Sequence, residues 1–388
     1  MDSIIVNKQL KELSKTSISK FVGKIKNIDK YYRFDIGLPR LRLKELIGVP
    51  LDIMFNNIYM DYSPAKGLYS LRETISKMFK DERGITYSPE EVLVCCGSLG
   101  AIYSALKAIL NPGDKVLVPL PAWPTYENLI KINSGQMITI DMDLNKEYLE
   151  LDIEAVDNAI QGDIKAVIIN NPHNPTGMMY SPENIRQIIN YACRNNIYVL
   201  IDEAYHNIIY DDKVIEKTPY IKHPNILYFR TFSKYYGVPG LRLGYVLGNL
   251  ETLEAVNTVN HLTVGNIDKI TQYVGLNLLT SSNTYFEERV RNYKKWIQKA
   301  SEIIEISDCG MKILQIKGTY YIFARLPEKL DFVTYCQKLL TKYKTIVLPG
   351  SIFGKKYHNY IRLSLTENED KMLKGLENVV ECVVSMKK

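Results

Sequence analysis

Short apolar runs alternate along this chain with longer stretches in which apolar residues return every three or four positions. "EEVLVCCGSLGAIYSALKAIL" (residues 90–110) predicts a buried strand, a glycine turn and a helix. "DKVLVPLPAWPTYENLIKI" (114–132) repeats that order, with "NPGD" as the turn before it. "IKAVIINNPHNPTG" (164–177) is a further strand running into a loop, and a helical pattern follows over "SPENIRQIINYACRNN". "IYVLIDEAY" (197–205) and "NILYFRTFSK" (225–234) are two more strands, each ending in polar residues. Short strands alternating with helices predict a mainly parallel α/β sheet. Ligands of such sheets sit beyond the carboxyl ends of the strands. Those ends carry Gly97 and Ser98, Trp123, Asn171 to Asn174, Asp202 with Tyr205, and Thr231 to Lys234.

Past about residue 285 the pattern changes to one long helix, "YFEERVRNYKKWIQKASEII", and then strands such as "GTYYIFARL". The expected organisation is a large α/β domain over residues 45–285 and a smaller α+β domain built from residues 1–44 and 286–388. The opening "MDSIIVNKQLKELSKTSISK" reads as an amphipathic helix and lacks the apolar centre of a signal peptide.

Charge and composition narrow the function classes. The 388 residues are 46% hydrophobic and 24% charged, with a formal charge of +6 spread along the chain. A spread of this kind argues against nucleic acid as a partner and leaves room for small anions. No stretch approaches the ~18 consecutive apolar residues of a membrane span. The six cysteines show no CxxC pair and no histidine at metal spacing, so the expectation is a cytoplasmic protein without structural metal.

The candidate chemistry gathers in "RTFSKYYGVPGLRLGY" (230–245), where hydroxyls, a lysine and an arginine share a glycine-rich segment. "GSLGA" opens a helix after a strand, so the amides of Ser98 and Leu99 can face an anion at the helix N-terminus. Taken alone, that Gly-x-x-Gly serves helix packing equally well. Thr231, Ser233 and Arg242 would add hydroxyls and a planar guanidinium to the same anion. Lys234 at a strand end is a candidate amine nucleophile. Asp202 follows a buried strand, where it either caps a turn or pairs with a buried cation such as a protonated pyridine. Trp123 is a core residue or a stacking plate for an aromatic ring.

Together these residues resemble the fold-type I pyridoxal-phosphate (PLP) enzymes, in the class I/II aminotransferase family. The motifs that carry the resemblance are, in chain order, "YSPAKGLYSLR", "NNPHNPTG", "DEAY", "TFSKYYGVPGLRLGY" and "IRLSL", and their order and spacing match from about Gly37 to Leu365. The resemblance implies an enzyme that moves an amino group from an amino acid to a 2-oxo acid. Lys234 would hold PLP as an internal aldimine and then move the α-proton. Asp202 would pair with the pyridine nitrogen, and Tyr205 and Asn174 would hydrogen-bond the phenolic oxygen. Trp123 would stack on the ring. Ser98, Leu99, Thr231, Ser233 and Arg242 would hold the phosphate, joined by Tyr62 from the partner subunit of a homodimer. Arg362 would clamp the substrate α-carboxylate, with Gly37 letting the backbone approach it and Asn174 beside it.

Other residues stay open between function and packing. Arg40 and Arg42 can meet a dicarboxylate or form a solvated face; Tyr320 and Tyr321 can line the substrate side or fill the core. His173 reads as a loop residue near the pocket. A carbon–sulfur β-lyase on the same fold is the alternative activity, since fold alone does not fix reaction.

Overall fold

The computed structural model describes residues 13, 25, 27–37, 39, 61–210, 220–281, 284–328 and 330–387. Apart from Leu13, the expected leading helix lies outside the described residues, as do Arg40 and Arg42. A two-residue strand, β1 (Tyr32–Arg33), comes first. A seven-stranded sheet then takes β2 (Val92–Cys95), β3 (Lys115–Leu120), β4 (Gln136–Asp141), β5 (Ile164–Asn170), β6 (Tyr198–Asp202), β7 (Ile226–Thr231) and β8 (Gly244–Leu247). The remaining strands among the described residues are β9 (Lys312–Ile313), β10 (Tyr321–Arg325), β11 (Thr345–Ile346), β12 (Leu348–Pro349) and β13 (Tyr360–Ser364).

Across the large sheet the order is β2-β8-β7-β6-β5-β3-β4. β8 runs antiparallel to both neighbours, and the other pairings are parallel. This is the mixed, mostly parallel sheet flanked by helices that the alternation predicts. A four-stranded antiparallel sheet, β12-β13-β10-β9, stands apart from it, and β1 pairs in parallel with β11. The long helix Thr284–Ile306 precedes the smaller sheet, where the change of pattern put it. Local signals set the element ends: Ser181 accepts the Asn184 amide at 3.1 Å and Pro182 opens the helix Pro182–Arg194.

Alternation along β6 and β7 places their side chains on two faces. Leu200, Leu227 and Phe229 belong to the core that also holds Ala101 and Ala105 of the helix Gly97–Ile109. Asp202 and Thr231 continue that face. Val199, Ile201 and Tyr228 belong to the opposite core, and Glu203 and Arg230 continue that one. Arg230 is 0% exposed, and its guanidinium meets Glu203 and Glu82, each at 2.7 Å. Glu203 also accepts from the Tyr220 hydroxyl at 2.6 Å. The carboxylate is buried too, and the neighbouring guanidinium together with the Tyr220 hydrogen bond outweighs burial and holds it below its ordinary value. The two strand ends are thereby tied on the face away from the candidate site.

Removing one member of a buried pair leaves the other charge uncompensated. Arg230→Met is therefore expected to cost about 3–5 kcal/mol of stability, read as a lower urea midpoint. The double variant Arg230→Met/Glu203→Gln should recover much of that loss, because the buried Glu203 charge is then gone and Glu82, the other partner, reaches solvent.

Candidate active site

Three structural pieces meet beyond the carboxyl ends of the large sheet. The first is the start of the helix Gly97–Ile109. Gly97 sits at φ 70°, and a Cβ there would lie 2.9 Å from Nη2 of Arg242. A Cβ on Gly244 would lie 2.6 Å from the Gly97 carbonyl carbon and 2.7 Å from the Ser98 nitrogen. The two glycines thus let a guanidinium and a helix N-terminus come into contact. Arg242, held at φ 51°, also donates to the Pro239 carbonyl at 3.1 Å. Thr231 Oγ1 accepts the Ser233 amide at 3.2 Å and donates to the Ser233 hydroxyl at 3.0 Å. Ser98 is half-buried, and Leu99 is exposed at its side chain while its backbone belongs to the first helical turn.

The second piece is the end of β6. Asp202 is buried and accepts from the Tyr126 hydroxyl at 2.5 Å and from the Ala204 amide at 3.1 Å. Burial pushes its carboxyl up to about 6, against those two hydrogen bonds and the charge of Lys234, which pull it down. Trp123 stands edge-on to Tyr126, with ring centroids 5.4 Å apart. Lys234 Nζ lies 3.4 Å from the Gly37 carbonyl, which also accepts from Tyr320 at 2.8 Å. The same ammonium is 5.8 Å from the centre of the Tyr205 ring.

The third piece comes from the smaller sheet. Arg362 on β13 is buried; it donates to Asn174 Oδ1 and to the Asp35 carbonyl, both at 2.9 Å. Its Nε is buried without a hydrogen-bond partner. Its guanidinium lies over the Tyr321 ring at 4.2 Å. Asn174 is held in turn: its amide donates to Asn170 Oδ1 at 2.8 Å, and Asn170 donates to the Asp202 carbonyl at 3.0 Å. The Tyr205 and Tyr321 hydroxyls are 3.1 Å apart. A Cβ on Gly37 would fall 2.0 Å from the Tyr321 hydroxyl, so the close approach requires glycine.

These contacts bring Gly37, Asn174, Asp202, Tyr205, Lys234 and Arg362 into one cluster, with Ser98, Leu99, Thr231, Ser233 and Arg242 around the helix start. Tyr62 is 89% exposed on the surface. His173 is buried, shares a 2.8 Å hydrogen bond with Thr176 Oγ1, and is pushed down to about 3 by burial, so it is a neutral loop residue. Tyr126 and Asn170 belong to the cluster and were not singled out from the sequence. Tyr126 lies 76 positions from Asp202, and nothing in its local pattern separates it from a core tyrosine. Among the described residues no group of three or more His, Cys, Asp or Glu side chains is placed to hold a metal ion, and no helix is long and apolar enough to cross a membrane. All six cysteines are free thiols.

Residues 51–379 match the family model for aminotransferase class I and II. An aspartate aminotransferase of Thermotoga maritima is 28% identical over 319 residues, 82% of each chain. A probable aspartate/prephenate aminotransferase of Aquifex aeolicus is 30% identical over 335 residues, again 82% of each. The crystal structure of the Thermotoga maritima aspartate aminotransferase superposes with a TM-score of 0.87 at 26% identity, covering 97% of this chain and 99% of that one. The fold is that of the fold-type I PLP transferases. The chain belongs to the class I and II aminotransferases, and its activity is amino-group transfer. The relatives named above are aminotransferases, so the β-lyase alternative is not favoured.

The state of Asp202 has a stability consequence. With its folded-state value raised from 3.8 to about 6, its protonated form is favoured on folding. The stability it contributes is complete below pH 3.8 and is lost as pH rises through 6. The protein without cofactor should thus lose about 3 kcal/mol from this group between those limits. Asp202→Asn should remove that slope in urea unfolding and be the more stable protein at pH 7. A slope unchanged by Asp202→Asn would assign the pH dependence to other groups.

Proposed function

We propose that this aminotransferase works with pyridoxal 5'-phosphate, on the residues assembled above. Three features support the fit. A buried carboxyl at the β6 end has tyrosine and amide partners and, among the described residues, no direct ion-pair partner. A helix N-terminus with an adjoining guanidinium suits a phosphate. An arginine has one buried nitrogen left over for a carboxylate. The first of these carries the proposal: an acid so placed calls for a cationic ring nitrogen.

When bound, PLP supplies an aldehyde that condenses with amines and a ring that withdraws electrons from the substrate α-carbon. The amine of Lys234 holds the cofactor and then takes and returns the proton at the substrate α-carbon. Asp202 holds the proton on the ring nitrogen, and Tyr126 keeps that carboxyl oriented. Tyr205 and Asn174 bind the phenolic oxygen, and Trp123 covers the ring face. Arg362 binds the substrate α-carboxylate through a planar fork, beside Gly37 and Asn174. Ser98, Leu99, Thr231, Ser233 and Arg242 grip the phosphate. Tyr62 reaches that phosphate from the partner subunit of a homodimer, and the exposure of Tyr62 in the single chain supports this. The proposal extends to a cytoplasmic enzyme with a large domain over residues 45–285 and a small one from residues 1–44 and 286–388. The relatives' names make aspartate the first donor to try.

Loaded with PLP, the protein should show a visible absorption band that Lys234→Ala abolishes together with turnover. A donor amino acid should yield its 2-oxo acid and pyridoxamine phosphate, with no free ammonia. Normal turnover by Lys234→Ala would end the assignment, and stoichiometric ammonia would return the lyase alternative. Arg362→Lys should raise KM about tenfold or more for every amino donor, because lysine cannot reproduce the paired hydrogen bonds. An effect restricted to one class of donor would move this arginine to the side-chain pocket.

A further inference from the structure

Tyr321 begins β10 and packs against Arg362, Tyr205 and Gly37, three of the groups that the proposed reaction needs. Its ring is the plate under the Arg362 guanidinium, 4.2 Å away. Its hydroxyl is 3.1 Å from that of Tyr205 and fills the space a side chain on Gly37 would take. Tyr205 and Tyr320 pack on it edge-on, with centroids 5.6 Å and 4.9 Å away. The charged and titratable groups around it are Arg362, Lys234, Tyr205 and Tyr320.

We propose that Tyr321 is a positioning residue that couples the carboxylate clamp to Tyr205, its ring orienting Arg362 and its hydroxyl setting which way the Tyr205 proton points. This rests on the PLP reading for its consequence in catalysis, but not for the coupling itself. Burial works against an anion on Tyr321, yet the cations of Arg362 and Lys234 outweigh it and hold the phenol below its ordinary value. Tyr205 is pushed well above its own, by burial first and then by its neighbour Tyr321. In the free protein Tyr205 is therefore the donor of the pair and Tyr321 the acceptor. A substrate carboxylate on Arg362 cancels part of that cationic field. Tyr321 then holds its own proton more tightly and donates to Tyr205, and the Tyr205 hydroxyl is released to turn toward the cofactor. No bond other than these hydrogen bonds changes, and any proton taken up comes from water.

Two variants separate the ring from the hydroxyl. Tyr321→Phe keeps the plate and removes the hydroxyl, so KM for amino donors should stay within about threefold while kcat falls about tenfold. Tyr321→Leu removes both, and KM should rise about tenfold as well. A packing role alone would leave Tyr321→Phe at wild-type kcat, and that result would overturn the proposal. The cofactor-free protein gives an independent reading through tyrosine labelled with carbon-13 at Cζ, with the Tyr321 signal assigned by its loss in either variant. That signal should titrate at lower pH than the other buried tyrosines, and Arg362→Leu should shift its midpoint upward. A midpoint indifferent to Arg362→Leu would also overturn the coupling. A failure of the PLP reading would look different: the visible band would be missing while the carbon-13 titration stood.

Discussion

Asp202 and Glu203 are consecutive acids at the end of one buried strand, and the two carboxyls meet opposite fates. An ionised carboxylate taken out of water is costly unless a cation or several hydrogen bonds compensate it. Strand alternation sends Glu203 to the face where the buried Arg230 guanidinium meets it and Glu82. It sends Asp202 to the other face, where a tyrosine hydroxyl and a backbone amide meet it and, among the described residues, no direct ion-pair partner does. One acid is a fastener for β6 and β7. The other is left with proton affinity raised by burial, at the place where the parallel strands open. The candidate site is organised around that asymmetry.

A hydrogen-bonded path joins this acid to the smaller sheet. The Asp202 carbonyl accepts from Asn170, Asn170 accepts from the Asn174 amide, and the Asn174 side chain accepts from Arg362. The carboxylate clamp and the ring-facing acid are thus joined by short polar links, beside the apolar packing of Tyr205 against Tyr320 and Tyr321. The glycines serve the same end from the backbone side. Gly37 makes room for the Tyr321 hydroxyl, Gly97 for Arg242, and Gly244 for the helix start.

Much of this is legible in the sequence. The strands β2, β3, β5, β6 and β7 are apolar runs with polar ends, and their alternation with helical stretches along the chain points to parallel topology. β4 was not read, because an edge strand with mostly exposed side chains has no buried run to betray it. β8 was read as part of the glycine-rich anion segment; four residues long and antiparallel, it carries no periodic signal of its own. At the site, Lys234 is marked by its strand-end segment of hydroxyls and glycines, and Arg362 only by the family resemblance that its motif carries. Tyr126, Asn170 and the Arg230 network carry no such mark, since each depends on a contact between segments far apart in the chain. Tyr321 lay between substrate side and core on sequence alone. The fold makes it both, with a ring packed among tyrosines and a hydroxyl turned to Tyr205.

The central claim is that the Asp202 carboxyl waits for a cationic ring nitrogen. The direct measurement is the nitrogen-15 chemical shift of PLP labelled at its ring nitrogen and bound to the protein. A protonated nitrogen at neutral and mildly alkaline pH in the wild-type protein, and its loss of the proton in Asp202→Asn, is the result this account predicts. An unprotonated ring nitrogen in the wild-type protein at neutral pH, or one whose proton survives in Asp202→Asn, would contradict it.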